Sequence, residues 1–192
     1  MISQLLALVL LPALNDAQPA DRAEIEKAII VLRNVTPDHQ EGAARAWKQL
    51  AAAPADQLPL LLAGMDGATP VARNWLRSSI DQVLDDAQKK KKTLPYPELE
   101  LFIRDRTHDP QARRLAYELV AEHDKTTTDR FLPDMFDDPS PELRRDAVAR
   151  VLEQGEKVLD GANKKDALPI FQKALASARD IYQINKAARR MR

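Results

Sequence analysis

Apolar residues recur along most of the chain at the three- to four-residue spacing of amphipathic helices, not at the alternation expected of strands. The first stripe lies between Asp21 and Val35, with apolar side chains at Ala23, Ile25, Ala28, Ile29 and Leu32. Further stripes follow, separated by prolines, glycines and short polar stretches. The pattern predicts an all-α protein whose short connections make neighbouring helices antiparallel.

One stretch, from Asp138 to Val148, has the residues of a helix end, a tight turn and a new helix start. Pro139 lacks a backbone donor and disfavours helix in the residue before it, so the preceding helix ends there. Ser140 offers an N-cap oxygen, and Pro141 suits the first helical position. Related turns at residues 69–73 and 109–113 suggest an internal repeat.

The three turns share the pattern Pro-x-x-Arg, which ends at Arg73, Arg113 and Arg144. An apolar residue lies three positions beyond each arginine and another lies seven positions beyond it, at Leu76 and Ile80, Ala116 and Val120, and Ala147 and Val151. Unequal spacing between repeated helix starts is typical of helical-hairpin arrays with variable loops.

These residues resemble HEAT repeats, whose pattern is Leu-Pro-x-Leu, a short acidic turn, and then Pro-x-Val-Arg-x-x-Ala. Residues 138–147 match that pattern nearly throughout. The resemblance implies a HEAT-like α-solenoid of about four to five antiparallel helix pairs over residues 21–159. It also implies a structural ladder in which a turn aspartate and a helix arginine bond between successive repeats. Its members here would be Asp66, Arg73, Asp109, Arg113, Asp138 and Arg144.

Near the C-terminus, Gly155, Ala167, Phe171 and Ala174 match the tetratricopeptide pattern Gly…Ala-x₃-Phe-x₂-Ala. This resemblance implies a tetratricopeptide-like hairpin over residues 148–192, which shares the helix at 143–159 with the last HEAT hairpin. The whole chain also resembles the N-terminal helical module of large exported bacterial HEAT-repeat proteins.

The N-terminus carries an unbroken apolar run, Leu5–Leu11, followed by small residues at Ala13 and Ala17. A run of this length is too short to span a bilayer and is similar to the apolar region of a secretory signal peptide. It predicts a signal peptide at residues 1–17 and export to the periplasm or the extracellular space. No basic residue precedes the run, which leaves open a cytoplasmic protein in which an apolar helix caps the array.

The charge balance bears on the partner. The chain has 29 Lys and Arg against 29 Asp and Glu, so its overall field does not favour a polyanionic partner. Eight basic and two acidic residues fall in the segment from Lys164 to Arg192, which leaves that segment at +6 and the remainder at −6. The absence of cysteine excludes disulfides, cysteine-based zinc sites and thiol catalysis.

No arrangement of residues typical of an active site is present in the sequence. The histidines, His39, His108 and His123, lie in different predicted hairpins and form no His-x-x-x-His pair. There is no glycine-rich phosphate loop and no serine in a nucleophile motif. We therefore expect no enzymatic activity, no cofactor and no metal.

The leading hypothesis is a non-enzymatic scaffold that binds a protein or peptide, or adjoining domains of the same polypeptide. Two alternatives remain: a helical spacer within a larger exported enzyme and, third, a nucleic-acid-binding solenoid. The candidate binding residues are polar side chains that we expect on the concave face formed by the second helices of the repeats, at Arg77, Gln82, Arg114, Glu118, Arg145 and Arg150.

Overall fold

The computed structural model describes residues 22–161 and 164–192, which form ten α-helices and no strand. The all-α prediction is confirmed for this part of the chain, whereas the predicted signal peptide lies outside it. The helices are α1 (Arg22–Arg33), α2 (Gln40–Ala51), α3 (Leu58–Ala63), α4 (Pro70–Lys89), α5 (Tyr96–Arg104), α6 (Pro110–His123), α7 (Thr127–Phe131), α8 (Pro141–Leu159), α9 (Ala167–Ser177) and α10 (Ile181–Arg190). None of these helices is both long enough and apolar enough to cross a bilayer.

Side-chain caps begin the helices that follow the repeated turns. The Thr69 hydroxyl accepts a hydrogen bond from the backbone N–H of Ala72 at the start of α4. The Asp109 carboxylate and the Ser140 hydroxyl do the same for α6 and α8, each with proline at the next position. Asp180 caps α10 without a following proline. These caps satisfy backbone donors that have no partner within the helix.

The buried apolar residues form two clusters that meet on α8. The first extends from α1 to the beginning of α8 and includes Leu143 and Ala147. The second begins at Val148, continues through Leu152, and is completed by α9 and α10. Phe136, half-buried, packs against both clusters. Because adjacent positions of one helix serve both clusters, α8 joins the N-terminal and C-terminal parts of the described core.

An ion-pair cluster links α5 to α7 at the surface. The Arg130 guanidinium donates to both carboxylate oxygens of Glu100, at 2.9 and 2.7 Å, and to Asp124 at 2.8 Å. These bonds lower the pKa of Glu100 and raise that of Arg130. The pKa of Asp124 is also lowered, chiefly by hydrogen bonds from the backbone and hydroxyl of Thr126. Folding therefore favours the ionised carboxylate of Glu100.

We expect this cluster to contribute to acid sensitivity. A carboxylate whose pKa is lowered on folding stabilises the protein above its unfolded pKa, and that contribution is lost as the pH falls through the folded pKa. Arg130→Gln should therefore reduce the difference between urea midpoints measured at about pH 7 and about pH 3. Arg22→Gln, which removes an exposed pair with Glu26, is the control. An unchanged difference in Arg130→Gln would contradict the assignment.

Candidate functional site

The predicted ladder residues do not all have the same environment, and the most buried pair is Arg113 with Asp138. Two guanidinium nitrogens of Arg113 donate to the two carboxylate oxygens of Asp138, at 2.7 and 2.9 Å. The side chains are 1% and 0% exposed, respectively. Arg113 also donates twice to the carbonyl of Ile103, near the C-terminus of α5. One arginine thus joins the end of α5, the start of α6 and the turn before α8.

Arg73 occupies the equivalent position on α4 but is held more loosely. Its guanidinium lies 3.4 Å from Asp109 and donates to the carbonyl of Ala68 at 3.2 Å. Its side chain is 27% exposed, although its Nε atom is buried and has no hydrogen-bond partner among the described residues. Asp109 uses its other oxygen to cap α6. The contact at Arg73 is therefore a weaker version of the one at Arg113.

The structure does not place Arg144 and Asp66 in an arginine–aspartate pair. Arg144 donates to the backbone carbonyl of Asp138 at 2.6 Å, within its own turn. Asp66 instead accepts a hydrogen bond from the backbone N–H of Asp109 at 2.6 Å. Its second oxygen lies 2.7 Å from Nδ1 of His108. Asp66 thus connects the turn after α3 to the turn before α6 through a histidine and a backbone amide.

His108 has a structural role that the sequence analysis did not predict, because it links two turns. Its ring stacks on Phe102 with centroids 3.9 Å apart and planes 11° apart, and its Nε2 lies 3.8 Å from Asp105. The sequence contains one relevant signal, since His108 directly precedes the cap residue of α6. Its partner Asp66, however, is 42 positions away in the sequence. Local spacing could therefore not identify this contact.

The six candidate binding residues separate into exposed and half-buried groups. Arg77, Glu118 and Arg145 are exposed, as expected, whereas Gln82, Arg114 and Arg150 are half-buried. The side chains of the half-buried group also make polar contacts. Gln82 bonds Asp86 at 3.4 Å, Arg114 bonds Asp146 and Glu118, and Arg150 bonds Asp129.

The bonds of Arg114 connect neighbouring helices. Its guanidinium reaches from α6 to Asp146 on α8 and also bonds Glu118, one turn further along α6, at 2.8 Å. Partial burial opposes the charge of Arg114, but the bonds to Asp146 and Glu118 outweigh this effect and raise its pKa. Arg77 on α4 makes a similar pair with Asp81 at 2.8 Å within one helix.

Four of the six candidates line two open grooves. The α4–α6 groove has a volume of about 290 Å³, and Arg77, Arg114 and Glu118 contribute to its lining. The α8–α10 groove, of about 300 Å³, includes Arg145. Glu142, at the start of α8, lines both grooves, so they belong to one surface. Gln82 and Arg150 line neither groove.

The lining of these grooves suits recognition of charged groups. Arginine side chains from α4, α6 and α8 line the grooves together with the carboxylates of Glu118, Glu142 and Asp180, and Arg145 forms no ion pair with any described residue. Within the described residues there is no group of three or more potential metal ligands from histidine or carboxylate side chains.

Comparisons with protein-family models, with curated proteins and with solved structures find no match for this chain.

Proposed function

We propose that this protein is a non-enzymatic helical-repeat scaffold that binds a protein or peptide along the surface formed by α4, α6, α8 and α10. The observation that carries the proposal is the pair of charged grooves joined at Glu142. The grooves are open, and the charged side chains that line them fit an extended macromolecular surface better than a small apolar ligand.

A HEAT-like α-solenoid of antiparallel pairs is the proposed arrangement behind this surface. Three helices begin at equivalent Pro-x-x-Arg turns, and in each the arginine donates to a carbonyl preceding its own helix: Arg73 to Ala68, Arg113 to Ile103, and Arg144 to Asp138. Such recurrence supports a stack of related units, each stabilised chiefly by its neighbours. Export through a signal peptide at residues 1–17 is part of the same proposal and rests on the apolar run in the sequence.

The absence of cysteine makes a direct test possible, because one introduced thiol labels one position. Arg77→Cys and Arg145→Cys would carry a photo-reactive cross-linker in the two grooves, and Glu98→Cys on α5 is a control outside them. In extracts of the producing cells, we expect one protein to be cross-linked from the groove positions and not from the control. That protein, purified, should bind the unmodified chain.

Equal cross-linking from all three positions, or none from either groove, would contradict the proposal. In the second case, binding of DNA with a steep dependence on salt would instead favour the nucleic-acid-binding alternative.

A further inference from the structure

Basic side chains follow the line of contact between α8 and α10, which we call the α8–α10 seam. At one end, Gln183 of α10 donates to the carbonyl of Arg145 of α8 at 2.8 Å. At the other end, Arg190 of α10 bonds Glu156 of α8, with both nitrogen–oxygen distances at 3.0 Å. Because the contacts advance toward the C-terminus on both helices, α8 and α10 run parallel along the seam.

Two grooves lie along this seam. The first is the α8–α10 groove described above, which Arg144, Arg145 and Arg179 line. The second, of about 460 Å³, is lined by Lys186, Arg189 and Arg190 together with Glu156, Tyr182 and Asn185. This concentration gives a structural location to much of the positive charge of the C-terminal segment.

The carboxylates of the seam are already engaged. Asp180 caps α10 by accepting the backbone N–H groups of Tyr182 and Gln183. Glu156 pairs with Arg190 and lies 3.7 Å from Lys186. Glu142 lies 3.3 Å from the Ser140 hydroxyl. These acids leave several of the arginines without a carboxylate partner.

Arg145 and Arg189 are the most available cations. Both are exposed, and neither forms an ion pair with any residue in the described part of the chain. Arg144 and Arg179 also lack carboxylate partners there but donate to backbone carbonyls. Arginine forks bind carboxylates with two parallel hydrogen bonds, so the available donors match acidic side chains.

We propose that the α8–α10 seam binds an acidic protein segment, whose carboxylates pair with Arg145 in one groove and with Arg189 in the other. The inference rests on the proposed scaffold function and identifies the chemistry of its partner. The backbone carbonyl of Arg145 contacts Gln183, and Arg189 lies six positions further along α10, a rise of roughly 9 Å. An extended peptide covers that rise in about three residues.

Separated acidic side chains fit this surface better than a nucleic-acid backbone. Glu142, Asp180 and Glu156 lie between or beside the cations and would repel closely spaced phosphates. A partner with a few carboxylates can address each groove and leave the intervening acids in water. Tyr182, which is 71% exposed in the second groove, adds an apolar surface for the partner's aliphatic groups.

Fluorescence anisotropy of the full chain with a labelled peptide of four Glu-Gly-Ser repeats, whose carboxylates are three residues apart, tests this inference. We expect saturable binding at low salt that weakens as sodium chloride increases. Arg145→Gln and Arg189→Gln should each weaken binding roughly threefold, and the double variant about tenfold, because each removes one exposed ion pair. Arg45→Gln on α2 changes net charge equally but lies outside the seam, so its affinity should equal that of the unmodified protein.

Three results would overturn the inference: no binding by the unmodified protein, affinities of the two single variants equal to that of Arg45→Gln, or tighter binding of labelled oligothymidylate than of the Glu-Gly-Ser peptide. Circular dichroism and urea unfolding of each variant would verify that the fold is retained. If the Glu-Gly-Ser peptide does not bind while Arg77→Cys still cross-links a partner, the inference fails and the proposed scaffold function remains supported.

Discussion

Arg113→Met is expected to lower the free energy of unfolding by about 3–5 kcal/mol, the usual loss when one partner of a buried ion pair is removed. The substitution keeps an unbranched side chain of comparable length but removes every donor. Asp138, which is 0% exposed, then loses the two hydrogen bonds at 2.7 and 2.9 Å. The carbonyl of Ile103 loses two donors as well. The free energy of unfolding of a small domain is only about 5–15 kcal/mol, so the variant would lose a large fraction of its stability.

Arg144→Met is the matched control, since it removes an arginine from the equivalent position of the next turn. Arg144 is half-buried and bonds the backbone carbonyl of Asp138, not its carboxylate. We expect a loss of about 1 kcal/mol, typical of one hydrogen bond. Urea unfolding followed by circular dichroism measures both values. Equal losses in the two variants would show that the buried pair contributes no more than a half-buried hydrogen bond to a backbone carbonyl.

A second variant isolates the effect of the Asp138 charge, which without Arg113 has Arg106, at 3.8 Å, as its remaining cationic neighbour. Asp138→Asn removes the charge but keeps an oxygen that can accept the backbone N–H of Ser140, a bond of 2.8 Å in the structure. If the penalty in Arg113→Met comes from a buried carboxylate without its partner, the double variant Arg113→Met/Asp138→Asn should be more stable than Arg113→Met alone. If the changes in free energy of unfolding of the two single variants simply add in the double variant, the loss in Arg113→Met comes from packing.

The sequence was sufficient to predict an all-α chain because the helical signals are local. Thr69, Asp109 and Ser140 each stand directly before a proline and cap the helix that follows. The position of the helix starts therefore depends on residues that are adjacent in the sequence. Alignment of the turns also grouped Arg73, Arg113 and Arg144, which in the structure all donate to backbone carbonyls.

The differences among those arginines could not be predicted, because they depend on distant residues. Arg113 is buried against the end of α5 and the turn before α8, whereas Arg73 keeps solvent access on the α4–α6 groove. The stack of His108 on Phe102 and the bond to Asp66 likewise depend on how the turns meet. Half-burial of Arg114 and Arg150 follows from pairs with Asp146 and Asp129 on neighbouring helices.

Gly155→Val is the second substitution with a large expected effect, a loss of about 3 kcal/mol. Gly155 lies inside α8, about one turn before its end, where glycine is normally unfavourable, and the structure explains why it is needed there. A Cβ atom at this position would lie 2.7 Å from Cζ of Phe171 and 2.8 Å from its Cε1. The Phe171 ring is fully buried, so it has little space into which it could move.

Gly42→Val supplies the matched control, because Gly42 is also helical, in α2, and no atom lies within 4 Å of its added Cβ. Valine is a better helix former than glycine, so Gly42→Val should leave stability unchanged or raise it by about 0.5 kcal/mol. The same change is thus expected to be strongly destabilising at position 155 and neutral or slightly stabilising at position 42. Urea unfolding of the two variants measures the difference directly.

Phe171→Leu, added to Gly155→Val, distinguishes steric conflict from a general intolerance of α8. Leucine removes the ring atoms nearest to position 155 but by itself leaves unfilled space in the second core cluster. If the ring causes the loss in Gly155→Val, the double variant should be destabilised by less than the sum of the single changes. An additive loss would mean that Gly155 is required for another reason, and the close approach of α9 to α8 would then not depend on this glycine.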